Sequence, residues 1–202
     1  MKKLLVFAVL ASFSLVATAQ EETIRFGAKA GINFASLNGD GTDDLDGRTS
    51  FHLGAVVEIP LSEKFAFAPE LVYSAQGAKV EETGFEQTTK LDYLNLPLMA
   101  KYYVAPGLSL HAGPQIGFLL SANAEGEETF NGETIEFDED IKDAFKSIDF
   151  GLNFGAGYQL PAGIFFDARY NLGLTDLADD RPDGDDNKIK NGVVQISVGY
   201  KF

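Results

Sequence analysis

From Ile24 to the carboxy terminus, apolar side chains occupy every second position in eight separate stretches divided by turn-rich interruptions. A period of two marks a strand whose faces meet different surroundings. The first stretch sets Ile24, Phe26, Ala28, Ala30, Ile32 and Phe34 against Arg25, Gly27, Lys29, Gly31 and Asn33. The next three oppose Phe51, Leu53 and Val57 to His52 and Glu58, Phe65, Phe67 and Tyr73 to Glu70 and Ser74, and Leu94, Leu96 and Leu98 to Asn95 and Lys101. The last four oppose Leu110, Phe118 and Leu120 to His111, Gln115 and Ser121, Phe150 and Phe154 to Asp149 and Asn153, Phe166 and Tyr170 to Asp167 and Arg169, and Ile196 and Val198 to Gln195 and Lys201.

A soluble sandwich or carrier barrel alternates as well, so the question is which face is buried. Eight strands enclose a space only just wide enough for side chains, too narrow for all the large rings of the apolar face. With the faces reversed, Lys29 and Arg169 would stand in mid-membrane at roughly 2–4 kcal/mol each. The expected fold is therefore all-β: an eight-stranded antiparallel up-and-down transmembrane β-barrel, apolar face to lipid and polar face to the lumen.

Connections alternate in length, as such a barrel requires. Pro60 to Glu63, Ala105 to Gly107 and Pro161 to Gly163 are tight, whereas Ser36 to Thr49, Gly77 to Lys90, Asn123 to Ser147 and Thr175 to Lys190 are long. The even strand number puts both termini on the periplasmic side. Pro69, Pro97 and Pro114 fall inside strands, where each removes a ladder donor that lipid cannot replace, so either bulges or different strand ends are expected there.

Before the first strand, Lys2 and Lys3 precede an apolar run from Leu4 to Val16 and the triplet Ala17, Thr18, Ala19. That is the pattern of a secretory signal over residues 1–19, leaving 20–202 as one barrel domain. The apolar run falls short of the roughly 20 residues a spanning helix needs. There is no cysteine, hence no thiolate or disulfide chemistry.

The net charge of −14 becomes −16 once Lys2 and Lys3 leave, which excludes nucleic acid and favours cations or basic partners. Of the 30 acids, 22 lie in the four long connections. Asp40, Asp43, Asp44 and Asp46 form one cluster, and Asp179, Asp180, Asp183, Asp185 and Asp186 another; both are oxygen-rich enough to attract Ca²⁺. Neither has the spacing of an EF-hand loop, so they are expected to screen divalent ions and to bridge to lipopolysaccharide phosphates.

The lumen face carries Arg25, Lys29, Lys101, Arg169 and Lys201 with Glu58, Glu70, Asp149 and Asp167, a set able to pair across a narrow interior as a polar plug. A lipid-directed hydrolase would need a nucleophile, a base and an acid converging toward lipid. His52 and His111 both fall on the lumen face at different strand ends, and are expected to be ordinary lumen residues with no catalytic or cofactor role.

The last strand carries apolar residues at every second position up to a terminal aromatic, Val198, Tyr200 and Phe202, which resembles the signal read by the outer-membrane assembly machinery. With Gly27 to Asn33 (GAKAGIN), Tyr93 to Tyr102 (YLNLPLMAKY) and the leader, the chain resembles the porin-family, PorT-like outer-membrane β-barrel proteins. The resemblance implies an outer-membrane barrel in contact with lipid and lipopolysaccharide, and names no external ligand. The function expected is a non-enzymatic, mostly plugged barrel whose acidic external loops serve structure or surface contact. The alternative is a narrow cation-selective pore, for which the lumen glycines 27, 31, 54, 113, 117, 151, 155 and 157 would leave space.

Overall fold

The computed structural model describes residues 23–39, 41–42, 44–130, 133–179 and 188–202. The leader at 1–19 lies outside them. Nine strands run through the described residues: β1 (Arg25–Gly39), β2 (Asp46–Pro60), β3 (Phe65–Glu82), β4 (Phe85–Ala105), β5 (Leu108–Phe130), β6 (Glu133–Asp140), β7 (Ile148–Gln159), β8 (Ile164–Gly173) and β9 (Ile189–Lys201). All pairings are antiparallel; β1 closes on β9 and β4 on β5, giving a ring of eight strands from which β6 is excluded. β6 pairs with the distal part of β5 alone.

The faces divide as the alternation requires. Phe26 and Ile196 are 49% and 53% exposed on the outer surface, whereas Lys29 and Arg169 are 4% and 5% exposed inside the ring. Tyr200 and Phe202 continue the outer band to the short-turn end, alongside Val198. Among the described residues no helix is long and apolar enough to cross a membrane; the strands form the crossing surface.

Gly107 and Gly163 close two of the tight turns with φ of +78° and +90°, a backbone region that a Cβ would strain. The three strand prolines do not produce bulges. Pro69 pairs with Leu98, but on its other side the β2–β3 ladder lapses between Ile59↔Phe67 and Val56↔Glu70. Pro97 pairs with Gln115 while the β3–β4 ladder lapses beside it, and Pro114 pairs with Leu152 while the β4–β5 ladder lapses. Each lapse resumes in the same register. A missing N–H is absorbed by omitting bonds on one side, with no residue inserted.

A bulge does occur where the sequence shows only two adjacent leucines. Asp92 pairs with Ser121 and Tyr93 with Leu119, so Leu120 is an extra residue. It reverses the parity of β5 above it: Leu119 and Ala122 are buried, and Ser121, expected in the lumen, turns outward to donate to Asp92 Oδ2 at 3.1 Å.

Two of the expected long loops are strands. β3 and β4 remain paired out to Glu82↔Phe85, and β5 continues to Phe130 against both β4 and β6. The segments 77–82, 85–90, 123–130 and 133–140 thus extend the barrel wall as a sheet, made from the ends of β3, β4 and β5 with β6 at its edge. One face of this sheet is polar and the other carries Val80, Phe85, Ile135 and Phe137 among polar neighbours, a pattern too sparse on any one strand to be read from the sequence.

Candidate functional site

Along the lumen axis the described residues form three layers. The layer nearest the short turns centres on Glu58, which accepts from Lys101 Nζ at 3.0 Å, Lys201 Nζ at 2.5 Å and the Tyr103 hydroxyl at 2.7 Å. Lys201 also donates to Gln159 Oε1 at 2.9 Å. The middle layer centres on Glu70. Arg169 grips it with two parallel bonds of 2.9 Å, Lys29 Nζ approaches at 2.6 Å, and Arg169 Nε donates to Asp167 Oδ1 at 2.8 Å. His111 Nε2 lies 3.2 Å from Asp167. The fork geometry of Arg matches a carboxylate at both oxygens, and each buried acid here meets a base, which offsets the cost of desolvation.

Seven of the nine lumen charges singled out in the sequence are thereby brought into two clusters: Lys29, Glu58, Glu70, Lys101, Asp167, Arg169 and Lys201. Arg25 stands exposed at the short-turn rim and joins no ion pair among the described residues. Asp149 is buried higher up, held by an amide of Asn191 at 2.9 Å and by no base among the described residues.

His52 shows what the periodicity cannot. Its Nε2 lies 2.7 Å from Ser197 Oγ and its Nδ1 2.8 Å from Asn33 Oδ1. The cause is a glycine: Gly31 pairs with His52 on one side and Ser197 on the other, and the imidazole occupies the place a Gly31 Cβ would take, 2.7 Å from it. A hydroxyl, an imidazole and an orienting amide in line are the elements of a nucleophile relay. Here Ser197 and His52 are 3% and 1% exposed, so a substrate carbonyl has no approach, and the array ties β1, β2 and β9 together. Cross-strand register around a lumen glycine is the signal that finds it.

The same device recurs. His111 and Arg169 meet across Gly155, where an added Cβ would lie 2.5 Å from His111 Nε2. At Gly31 and Gly155, long side chains of neighbouring strands thus lean over a lumen glycine.

Above the polar layers lies an apolar cap of Leu37, Ala78, Leu91, Tyr93, Leu119, Ala122 and Leu177, with Leu45, Ile141, Phe145 and Ile189 packed against it. Leu177 comes from the connection after β8 and is fully buried, and Phe145 and Ala178 bridge two connections over the top. These side chains are buried away from water at the long-loop end of the lumen.

The sheet beyond the cap is acidic. β6 carries Glu133, Glu136, Asp138, Glu139 and Asp140, Lys90 pairs with Glu125 beneath it, and Phe85 stacks on Phe137 with ring centroids 6.2 Å apart. Of the expected calcium-attracting acids, Asp44 and Asp46 are exposed, and Asp40, Asp43, Asp183 and Asp185 lie outside the described residues. Among the described residues no three acids, histidines or cysteines converge on a metal position.

A family model described as the outer membrane protein β-barrel domain matches residues 18–179. The chain belongs to this family. It is an outer-membrane β-barrel. Among solved structures, the attachment invasion locus protein Ail of Yersinia pestis aligns over 91% of this chain and 100% of its own, at 14% identity and a TM-score of 0.54. Ail has also been crystallised with the heparin analogue sucrose octasulfate, and in that form aligns over 89% and 99% at a TM-score of 0.53. The Neisserial surface protein NspA aligns over 88% and 97%, at 13% identity and a TM-score of 0.50. At these identities the likeness is one of fold. No curated protein sequence matches the chain.

Proposed function

We propose that this outer-membrane barrel is a non-conducting, non-enzymatic post that holds a rigid acidic sheet above the membrane for contact with a basic partner. The single observation behind this reading is the position of β6, which pairs only with β5 and leaves its far edge open among the described residues. An open edge offers unpaired backbone donors and acceptors to an extended segment of another chain, and the row of acids on β6 selects for a basic one. Those charges also keep identical edges from joining. The filled lumen and apolar cap support the non-conducting part of the reading. A sulfated polyanion such as the one crystallised with Ail would be repelled by this surface.

Trimming the β3–β4 and β5–β6 hairpins down to the level of Lys90, Asn123 and Asp140 tests the proposal. The trimmed protein is expected to refold as a barrel and to lose surface attachment to basic partners, an attachment that weakens with salt in the intact protein. Full complementation of a deletion strain by the trimmed barrel would sink it. Reproducible conductance steps in a planar bilayer would favour instead the narrow cation-selective pore.

A further inference from the structure

Glu58, Glu70 and Asp167 each face a base, whereas Asp149, buried just as deeply, faces none among the described residues. One of its oxygens accepts from Asn191 Nδ2 at 2.9 Å; the other, Oδ1, is buried without a hydrogen bond of ordinary length, although the Thr175 hydroxyl lies near enough to act on the carboxyl. Asn171 Oδ1 and Asn191 Oδ1 are in the same condition, and the Tyr93 hydroxyl, whose neighbour is the Asn191 side chain, has no hydrogen bond of ordinary length.

Glycines bring these groups together. Asp149 pairs with Gly117, and the Tyr93 ring passes over Gly117, 3.3 Å from where its Cβ would be, into electrostatic reach of the carboxylate. On the other side Gly151 pairs with Gly173. Asn171 folds its amide over Gly151, and Asn191 lies against Gly173 and reaches past it to Asp149. The apolar cap, with Tyr93 itself in it, seals the layer from the outside.

Water could satisfy the amide oxygens and the hydroxyl, but a carboxylate left uncompensated in a closed space is the costliest state of a buried acid, so the group must take up a proton or meet a cation. Carboxylate and neutral oxygens together are the donor set of a hard cation. One unmatched negative charge calls for one positive charge. We propose that this upper chamber of the lumen binds a dehydrated monovalent cation of the Na⁺ class, held by Asp149 Oδ1 with Asn171 Oδ1, Asn191 Oδ1 and the Tyr93 hydroxyl. The ion takes the place that Lys29, Arg169, Lys101 and Lys201 hold in the layers below.

The test uses the full mature barrel refolded in detergent, unfolded by heat in NaCl or in N-methylglucamine chloride at equal ionic strength. Wild type is expected to unfold about 3–5 °C higher in NaCl, the shift that occupancy at about ten times the dissociation constant gives a chain of this size. Asp149→Asn should lose the difference and be no less stable than wild type in N-methylglucamine chloride. Asn171→Leu, which keeps the carboxylate but removes a ligand, should shrink the difference, so the test survives a failure of the first variant to fold. A variant carrying Glu133→Gln, Glu136→Gln, Asp138→Asn and Glu139→Gln should keep it. Equal midpoints for wild type in the two salts, or a sodium response retained by Asp149→Asn, would overturn the proposal in favour of a protonated or merely hydrated carboxyl.

Discussion

In the membrane band the strands turn Phe118, Phe154 and Ile196 outward and keep Glu70, Arg169 and Asn153 inside; a few residues further along, β4 and β5 bury Leu91, Leu119 and Ala122 and turn Asp92, Ser121 and Glu125 outward. One continuous sheet is thus inside-out below and soluble-like above. The difference shows that the surrounding medium assigns the faces. Where lipid surrounds the wall, an apolar interior gains nothing and a polar one must satisfy itself. Where water surrounds it, the ordinary hydrophobic drive returns. The bulge at Leu120 marks the crossover on β5.

The sharpest way to break this contrast is at the centre of the polar layer. Glu70→Gln leaves Arg169 and Lys29 facing each other without the carboxylate they share, and should lower stability by about 3–5 kcal/mol in urea unfolding of the refolded protein. A midpoint unchanged within error would mean that the charges do not act as a unit. The next largest effect sets one substitution in both regions. Ile196→Arg, in the lipid band, is expected to cost about 2–4 kcal/mol in bilayers. Ile135→Arg, on exposed β6, should stay within about 0.5 kcal/mol. Similar losses at the two sites would place both in the same medium. Smallest is Leu177→Ala in the cap, expected near the low end of the roughly 2–5 kcal/mol range for such truncations because a connection can partly collapse into the gap. Hydrogen exchange should quicken around Leu91 and Leu119 and leave β7 and β8 unchanged.

Barrel class, strand number in the ring and the orientation of each wall strand were legible because lipid and lumen impose opposite preferences on alternate residues. The ends of β3, β4 and β5 and the whole of β6 were not, since water lies on both sides and no face needs to be apolar. The lumen charges were legible as a set but not as pairs. Glu70 and Arg169 stand 99 residues apart, and their meeting depends on register around the ring. The relay at His52 and the chamber at Asp149 depend further on which glycine lies between two long neighbours, information held in cross-strand pairing and in no single strand.

The ladder between β1 and β9 runs unbroken from Gly27↔Lys201 to Gly39↔Ile189, and beyond it the Phe202 amide donates to the Phe26 carbonyl at 2.9 Å. The opening and closing staves of this cask are therefore neighbours. The first strand cannot find its mate until β9 has been made, so a product cut short before Ile189 is left with two raw margins and no means of joining them.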